Sequence, residues 1–365
     1  MKRYAVRWAA TAGVFFALVV GGCSRPIRAP EQSPSPDRGA RSQVALEELV
    51  VAPDTEPGCS AVVGRRGRVL WQGQAGLAVL QPATPITAET TFHIGSVSKQ
   101  FTALAAALLD EDGRLSLDDT VAEHLDGYPD WAEQVTLSQL IHHTSGIPEV
   151  NNLMALRGTE PDMKASREDL MKAIREAGTL DFEPGSQWAY SNSNYLLLGL
   201  IVEQTSGRPL ATHLAQTFFA PLDLTMTLAP PGTRPTETRP YRANTQGQFD
   251  IVDWPWDLSG PAGIWATPAD LIRWADVYRT GVVGGDLVTK PQTDAVAVAN
   301  ADSRYGLGIF IARNGVLWHN GIARGFNTEF VISADRDQAI AVACNGTGIE
   351  PVTLVETLGA IWQVW

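Results

Sequence analysis

The sequence is poor in cysteine and histidine, and its charge has the wrong sign for a nucleic-acid-binding protein. It contains three cysteines and six histidines in 365 residues, with 40 acidic and 28 basic residues. After Cys23, only Cys59 and Cys344 remain, and neither has a metal-ligating partner at a useful spacing. A net charge of −12 repels a phosphate backbone, so nucleic acid is not an expected partner. We also expect no metal centre and no cofactor.

A long apolar run is missing as well, and this decides how the first 22 residues are interpreted. Three basic residues precede the apolar stretch 14–20, which is too short to span a bilayer and is typical of an export signal. The small residues before Cys23 resemble the lipobox of bacterial lipoproteins. We expect residues 1–22 to be a signal peptide and Cys23 to carry the lipid. Ordinary cleavage nearby, or an uncleaved anchor, are the alternatives. Removal of the signal would change the net charge from −12 to −15.

The composition changes after the signal. Residues 23–42 are rich in proline, arginine and serine and show no apolar periodicity, which predicts a disordered tether. One folded domain is expected over residues 43–365. A lipid on Cys23 followed by a tether would hold this domain at a membrane of the bacterial cell envelope, facing the periplasm.

Strand-like segments lie at both ends of the folded domain, with helical segments between them. Early strands are predicted over 59–65 and 68–80. The later segments are strands over 305–311, 316–320, 326–333 and 338–345 and a helix over 352–365. A mainly helical part, 96–289, thus interrupts a sheet part formed by 43–95 and 290–365. This order predicts an α+β fold with helices inserted into an antiparallel sheet.

The tetrapeptide Ser96-Val97-Ser98-Lys99 opens an alanine-rich helix. Residues three apart on a helix share a face, so Lys99 is expected beside Ser96. A serine hydroxyl becomes a useful nucleophile when a base takes its proton, and a lysine shielded from water can be that base. Taken alone, the motif favours an N-capping serine and a solvated lysine.

Two further motifs supply partners for this chemistry. Tyr190-Ser191-Asn192 follows a turn and precedes a helix, where Tyr190 could act as a phenolate-like base or relay a proton, and Asn192 could bind a substrate amide. His319-Asn320-Gly321 lies on a strand after an Asn-Gly turn, where Gly321 would let a substrate backbone approach. Each motif alone is more simply explained by packing and capping.

Together, the three motifs in this order resemble the penicillin-recognising serine hydrolases, which include class C-like β-lactamases, DD-peptidases and related esterases. The resemblance covers roughly residues 43–365. Other segments that look like the family are 92–95, 140–147, 182–192 and 259–267. It implies a five-stranded antiparallel sheet flanked by terminal helices, with a helical domain beside it.

The resemblance also implies a role for each site residue. Ser96 would be the acylated nucleophile, and Lys99 and Tyr190 would share the general-base and general-acid work. Asn192 would contact the substrate amide. The backbone N–H groups of Ser96 and Ile322 would form the oxyanion hole.

The third motif departs from the Lys-Thr-Gly of many β-lactamases. His319 replaces a fully charged lysine, and with an ordinary pKa of about 6.5 it would be partly charged at neutral pH. We therefore expect a limb near that pH in the activity profile. Asn320 replaces a threonine hydroxyl that often binds the substrate carboxylate. Both changes argue against efficient β-lactam hydrolysis.

The two remaining cysteines would lie on neighbouring strands of the family's sheet, Cys59 at the start of one and Cys344 at the end of the other. A disulfide is geometrically possible there. Bridges between adjacent strands are strained, however, so we expect two buried thiols instead.

The favoured function is that of a lipid-tethered serine hydrolase acting through an acyl-enzyme on Ser96. Its substrate would be a small molecule or short peptide, with a D-amino-acid peptide or small ester ahead of a β-lactam. A true class C-like β-lactamase is one alternative. A non-catalytic cell-wall-binding or penicillin-binding lipoprotein is another, but such a protein needs no activated nucleophile.

Overall fold

The computed structural model of the protein describes residues 36–160, 162–229, 233, 235–252, 255–291 and 294–365. The predicted signal peptide, Cys23 and most of the predicted tether lie outside this part of the chain. The first helix begins at Pro36. The prediction that the tether continues to residue 42 is therefore wrong in its last part, because this segment packs as a helix against the C-terminal helix.

The elements of the described ranges follow in chain order. The helices are α1 Pro36–Leu49, α2 Lys99–Glu111, α3 Leu137–Ile141, α4 Val150–Leu156, α5 Arg167–Arg175, α6 Asn192–Ser206, α7 Leu210–Leu214, α8 Pro268–Ala275, α9 Val277–Thr280, α10 Gly285–Thr289 and α11 Pro351–Trp362. The strands are β1 Cys59–Arg65, β2 Arg68–Ala75, β3 Leu77–Val79, β4 Thr84–Pro85, β5 Phe92–His93, β6 Thr227–Leu228, β7 Tyr241–Ala243, β8 Phe249–Ile251, β9 Ile264–Ala266, β10 Val296–Ala297, β11 Ser303–Tyr305, β12 Phe310–Ala312, β13 Leu317–Ala323, β14 Phe326–Ile332, β15 Gln338–Cys344 and β16 Gly346–Thr347.

The main sheet is antiparallel and has the strand order β10-β11-β12-β13-β14-β15-β1-β2. The N-terminal hairpin β1–β2 thus pairs with a strand from the end of the chain. The predicted α+β class with inserted helices is confirmed, and the five long strands are present. Three short strands extend the sheet beyond β13. The strand predicted over 305–311 is wrong, because a turn at 306–309 divides this segment into β11 and β12.

Side chains of the sheet alternate between two cores, as the period of a strand requires. On β1, Val62 joins the core shared with the inserted helices, whereas Ala61 and Val63 join the core beneath α1 and α11. We call these sides the inner and the outer face. Helix α8 lies within the segment assigned to the helical part, but it packs directly on β1 and β15 at the inner face.

The outer face contains a covalent link that the sequence leaves as the less favoured alternative. Cys59 pairs with Cys344 in the register of β1 and β15, and their sulfur atoms form a disulfide. The expectation of two buried thiols is therefore wrong. Among the described residues, no helix combines the length and apolar character needed to cross a bilayer.

Candidate active site

Ser96 lies in a short 3-10 segment, Gly95–Ser98, that joins β5 to α2; we call it the Ser96 turn. Helix α2 is buried along almost its entire length, so it fixes this turn in the centre of the molecule. Gly95 has a φ of +53°, and a Cβ atom on it would lie 2.7 Å from the backbone N of Ile322. Only glycine permits this backbone conformation and this close approach without strain.

Lys99 lies beside Ser96, as the spacing of the motif predicts. Its side chain is completely buried and donates three hydrogen bonds: to Ser96 Oγ at 3.0 Å, to Asn192 Oδ1 at 2.9 Å and to the Pro261 carbonyl at 3.0 Å. Burial lowers the pKa of Lys99 to about 7, and the negative charge of Glu149 opposes this decrease. A substantial fraction of Lys99 is therefore neutral at neutral pH and can accept the Ser96 proton.

Tyr190 lies on the other side of this pair. The Lys99 Nζ atom is 4.7 Å from the centre of the Tyr190 ring. The buried phenol oxygen has no hydrogen bond of standard geometry within the described residues. Burial raises the pKa of Tyr190 above its usual range, although the nearby Ser96 hydroxyl acts in the opposite direction. Tyr190 is therefore a neutral phenol, suited to pass a proton rather than to act as a phenolate.

Asn192 is the first residue of α6, and both ends of its side chain are engaged. Its Oδ1 accepts the hydrogen bond from Lys99, and its Nδ2 donates to Glu149 Oε1 at 2.7 Å. Its backbone N–H also donates to Glu149 Oε2 at 2.5 Å. The contact between Asn192 and a substrate amide stays a prediction. In this structure the side chain holds Lys99.

The third motif meets the Ser96 turn through its backbone. A Cβ on Gly321 would lie 1.9 Å from the Ile94 carbonyl oxygen, so only glycine allows β13 to approach this closely. The approach brings the Ile322 backbone N beside Gly95, the residue before Ser96, while the Ile322 side chain stays exposed. This placement is compatible with the predicted oxyanion pair. Asn320 follows His319 on β13, so the two side chains point to opposite faces of the sheet. Asn320 pairs with Glu329 of β14.

His319 is buried rather than partly charged. Its Nδ1–H donates to the Asn320 carbonyl at 2.6 Å, and its Nε2 lies 3.2 Å from the Tyr305 hydroxyl. Burial and the nearby Lys99 charge lower the pKa of His319 to about 3. This low pKa contradicts the expectation of partial charge at neutral pH, and the pH limb expected from this histidine stays a prediction for the activity profile to test.

The sequence interpretation missed three groups of this site. Glu149 binds Asn192, the Pro261 carbonyl accepts from Lys99, and the Tyr305 hydroxyl bonds His319. Glu149 comes two residues after a family-like segment, and Pro261 lies inside another, so proximity to these segments was the available signal. In the described ranges, no group of three or more His, Cys, Asp or Glu side chains could hold a metal ion.

Curated proteins that are similar to this chain over most of its length are named as D-aminopeptidases. A D-aminopeptidase of Brucella canis is 30% identical over 302 residues, which are 80% of this chain and 57% of that protein. A D-aminopeptidase of Brucella anthropi is 31% identical over 286 residues, which are 75% of this chain and 53% of that one. The chain therefore spans a little more than half the length of these relatives.

Solved structures show the same fold. A penicillin-binding protein homologue from Pyrococcus abyssi, described as octameric, superposes with a TM-score of 0.77 at 23% identity, covering 89% of this chain and 76% of that one. A D-amino acid amidase from Ochrobactrum anthropi superposes with a TM-score of 0.72 at 22% identity, covering 90% and 98%. The model of the beta-lactamase family matches residues 46–359. The chain therefore belongs to the beta-lactamase family, which confirms the resemblance carried by its motifs.

Proposed function

We propose that the protein is a serine hydrolase that cleaves amide bonds of small D-amino-acid derivatives through an acyl-enzyme on Ser96. The observation that carries the proposal is the 3.0 Å contact between Lys99 Nζ and Ser96 Oγ, made by a lysine whose pKa burial lowers to about 7. A nucleophile and a base at this distance, shielded from water, are the two groups that acyl transfer requires.

The reaction follows from the positions of the side chains. Neutral Lys99 takes the Ser96 proton as Oγ attacks the carbonyl carbon of the substrate. The backbone N–H groups of Ser96 and Ile322, which belong to the closely approaching Ser96 turn and β13, would stabilise the oxyanion. Tyr190 donates its phenol proton to the leaving amine and regains a proton from protonated Lys99, so that both groups return to their neutral forms. Water then hydrolyses the ester on Ser96, with the same residues acting in reverse.

The substrate class rests on the names of the relatives and on the third motif. The relatives are named as D-aminopeptidases and a D-amino acid amidase. His319, which replaces the lysine of many β-lactamases, is neutral because burial lowers its pKa to about 3. A neutral side chain supplies no permanent positive charge for the carboxylate of a β-lactam. We therefore place D-amino-acid amides and short D-peptides ahead of β-lactams.

The test compares four substrates on the wild type and on Ser96→Ala. These are the D and L isomers of alanine p-nitroanilide, p-nitrophenyl acetate and nitrocefin. We expect turnover of the D-amide to exceed that of the L-amide and of nitrocefin, and Ser96→Ala to abolish it. Faster turnover of nitrocefin would favour the β-lactamase alternative. If neither a fluorophosphonate nor a penicillin labels Ser96 in folded protein, the non-catalytic alternative is favoured.

The cellular location is part of the same proposal. The basic residues and apolar stretch before Cys23 support export and lipid attachment at this cysteine, with the domain held at the bacterial cell envelope. Fractionation of cells that express the full chain tests this. We expect the wild type in the membrane fraction and Cys23→Ser in the soluble fraction. Equal distribution of the two would overturn lipid attachment at Cys23.

A further inference from the structure

Glu149 is a carboxylate at the active site that none of the sequence motifs contains. It precedes α4 and is half-buried. One carboxylate oxygen accepts the backbone N–H of Asn192, the first residue of α6, and the other accepts its side-chain Nδ2. Glu149 thus caps the N-terminus of a fifteen-residue helix, where a negative charge is stabilised by the free N–H groups.

These two bonds determine how the Asn192 amide is oriented. A carboxylate accepts hydrogen bonds and cannot donate them, so Nδ2 must face Glu149 and Oδ1 must face Lys99. If the amide were rotated by half a turn, Oδ1 would oppose the carboxylate and Nδ2 would oppose the Lys99 amine. Glu149 therefore orients the Asn192 oxygen that accepts a hydrogen bond from Lys99. Because Asn192 lies between Glu149 and Lys99, Glu149 acts on the reacting groups through Asn192.

We propose that Glu149 is a positioning residue, which holds Lys99 against Ser96 through Asn192 and stabilises the protonated amine with its negative charge. This inference rests on the proposed function, since it concerns the base of that reaction. Two features support it. The chain of contacts Glu149–Asn192–Lys99–Ser96 is continuous, with donor–acceptor distances between 2.7 and 3.0 Å.

The other feature is the character of the groups around Lys99. The rings of Tyr190 and Tyr195 lie 4.7 and 5.4 Å from its Nζ atom. His143 and His319 are also close enough for the Lys99 charge to lower their pKa values, and burial acts on both in the same direction. Neutral groups therefore surround Lys99, and Glu149 is the charged group that acts on it.

The experiment measures the rate at which a fluorophosphonate labels Ser96 as a function of pH, by mass spectrometry. In Glu149→Gln the negative charge is lost and one Asn192 donor loses its acceptor. We expect a roughly tenfold lower rate on the alkaline plateau and an acidic limb displaced by about one pH unit to lower pH. Glu149→Asp keeps the charge but is too short to reach both Asn192 donors, so its acidic limb should stay near that of the wild type while its plateau falls.

Two controls separate positioning from a general loss of structure. Glu176→Gln removes an exposed carboxylate that pairs with Arg157. Its labelling rate and the pH of its acidic limb should match those of the wild type. In an Asn192→Ala background, Glu149→Gln should lower the plateau by less than about twofold, because the route through Asn192 is already broken.

The outcomes distinguish this inference from the proposed function. If the wild type is not labelled at Ser96, the proposed function fails. If the wild type is labelled but the acidic limb of Glu149→Gln lies at the same pH as that of the wild type, then Glu149 does not act on Lys99. In that case the inference alone is wrong, whatever the change in the plateau rate. Should Glu149→Gln show no cooperative thermal transition, Glu149→Asp decides, and an unchanged plateau there overturns the inference.

Discussion

An ionisable side chain lies in a poorly hydrated position on each side of the main sheet, and the groups that surround these two side chains differ. On the inner face, Lys99 is completely buried and has three hydrogen-bond acceptors. On the outer face, Glu329 lies opposite Asn320, and the charged neighbour that acts on it is a second acid, Glu356. Burial and this neighbour raise the pKa of Glu329 to about 8.

The surroundings therefore distinguish Lys99, for which we propose a catalytic role, from Glu329, for which we propose none. Burial disfavours the charged form of both groups, so Lys99 loses its proton more easily and Glu329 holds its proton more tightly. The acceptors around Lys99 make both of its forms usable, because they can bind an ammonium group and also orient a neutral amine. Among the described residues no comparable set of hydrogen-bond partners surrounds Glu329, and its pKa, raised to about 8, favours the protonated form at neutral pH. Four predictions test this contrast, beginning with the largest expected effect.

Lys99→Met should lower kcat/KM for a D-amino-acid amide by about 10⁴-fold, because the base is removed while a side chain of similar length remains. Thermal unfolding should stay cooperative. The measurement is steady-state turnover beside the wild type and Ser96→Ala, which should be equally impaired. Retention of more than a tenth of the wild-type kcat/KM would show that the inner-face amine is not the base.

Gly321→Ala should lower turnover roughly 100-fold, the scale of losing one oxyanion donor. The added methyl group would lie 1.9 Å from the Ile94 carbonyl oxygen, so β13 must move away from the Ser96 turn. Gly178→Ala is the matched control, since a Cβ at this position meets no atom within 4 Å. Equal activities of the two variants would contradict the close approach.

The pH profile of the wild type should have an acidic limb near pH 7, with activity falling as the pH decreases. The cause is Lys99, whose pKa burial lowers to about 7, since its protonated form cannot accept the Ser96 proton. His319→Gln should leave this limb in place, because burial keeps the pKa of His319 at about 3. If the acidic limb moves or disappears in His319→Gln, the group that titrates is the histidine rather than Lys99.

The smallest effect concerns the outer face. Glu329 binds a proton more tightly in the folded chain than in the unfolded chain, because burial and Glu356 raise its pKa to about 8. Its contribution to stability should therefore fall as the pH rises from about 4.5 to 8. Glu329→Gln should raise the melting temperature at pH 9 by roughly 2–4 °C and change it less at pH 5. Glu89→Gln, at an exposed position, is the control, and identical shifts in both variants would refute the assignment.

The sequence was sufficient for those parts of the site that depend on local spacing. Ser96 and Lys99 are one turn apart, so their contact follows from helical geometry. The inserted helices follow from the order of strand-like and helix-like segments. The division of the 305–311 strand was missed because apolar periodicity does not reveal a turn whose hydrogen bonds are made by the backbone alone.

Contacts between segments that are distant along the chain could not be predicted from the sequence. Glu149 meets Asn192 only because α4 and α6 are packed together, and a glutamate before a helix is otherwise unremarkable. The neutral state of His319 depends on its burial and on Lys99, neither of which its neighbours in the chain indicate. A general argument about strain between adjacent strands makes the disulfide the less favoured alternative, whereas the structure pairs Cys59 with Cys344 and joins their sulfur atoms.

The contact of Gly321 with Ile94 has a consequence for how the protein is made. The Ser96 turn is synthesised early, but the amide of Ile322 that completes the oxyanion pair belongs to a strand near the end of the chain. An unfinished or partly threaded chain therefore contains the nucleophile without its electrostatic partner. Under the proposed mechanism, turnover should begin only after β13 has reached the Ser96 turn, so activity during refolding should report the joining of the late strands to the early ones.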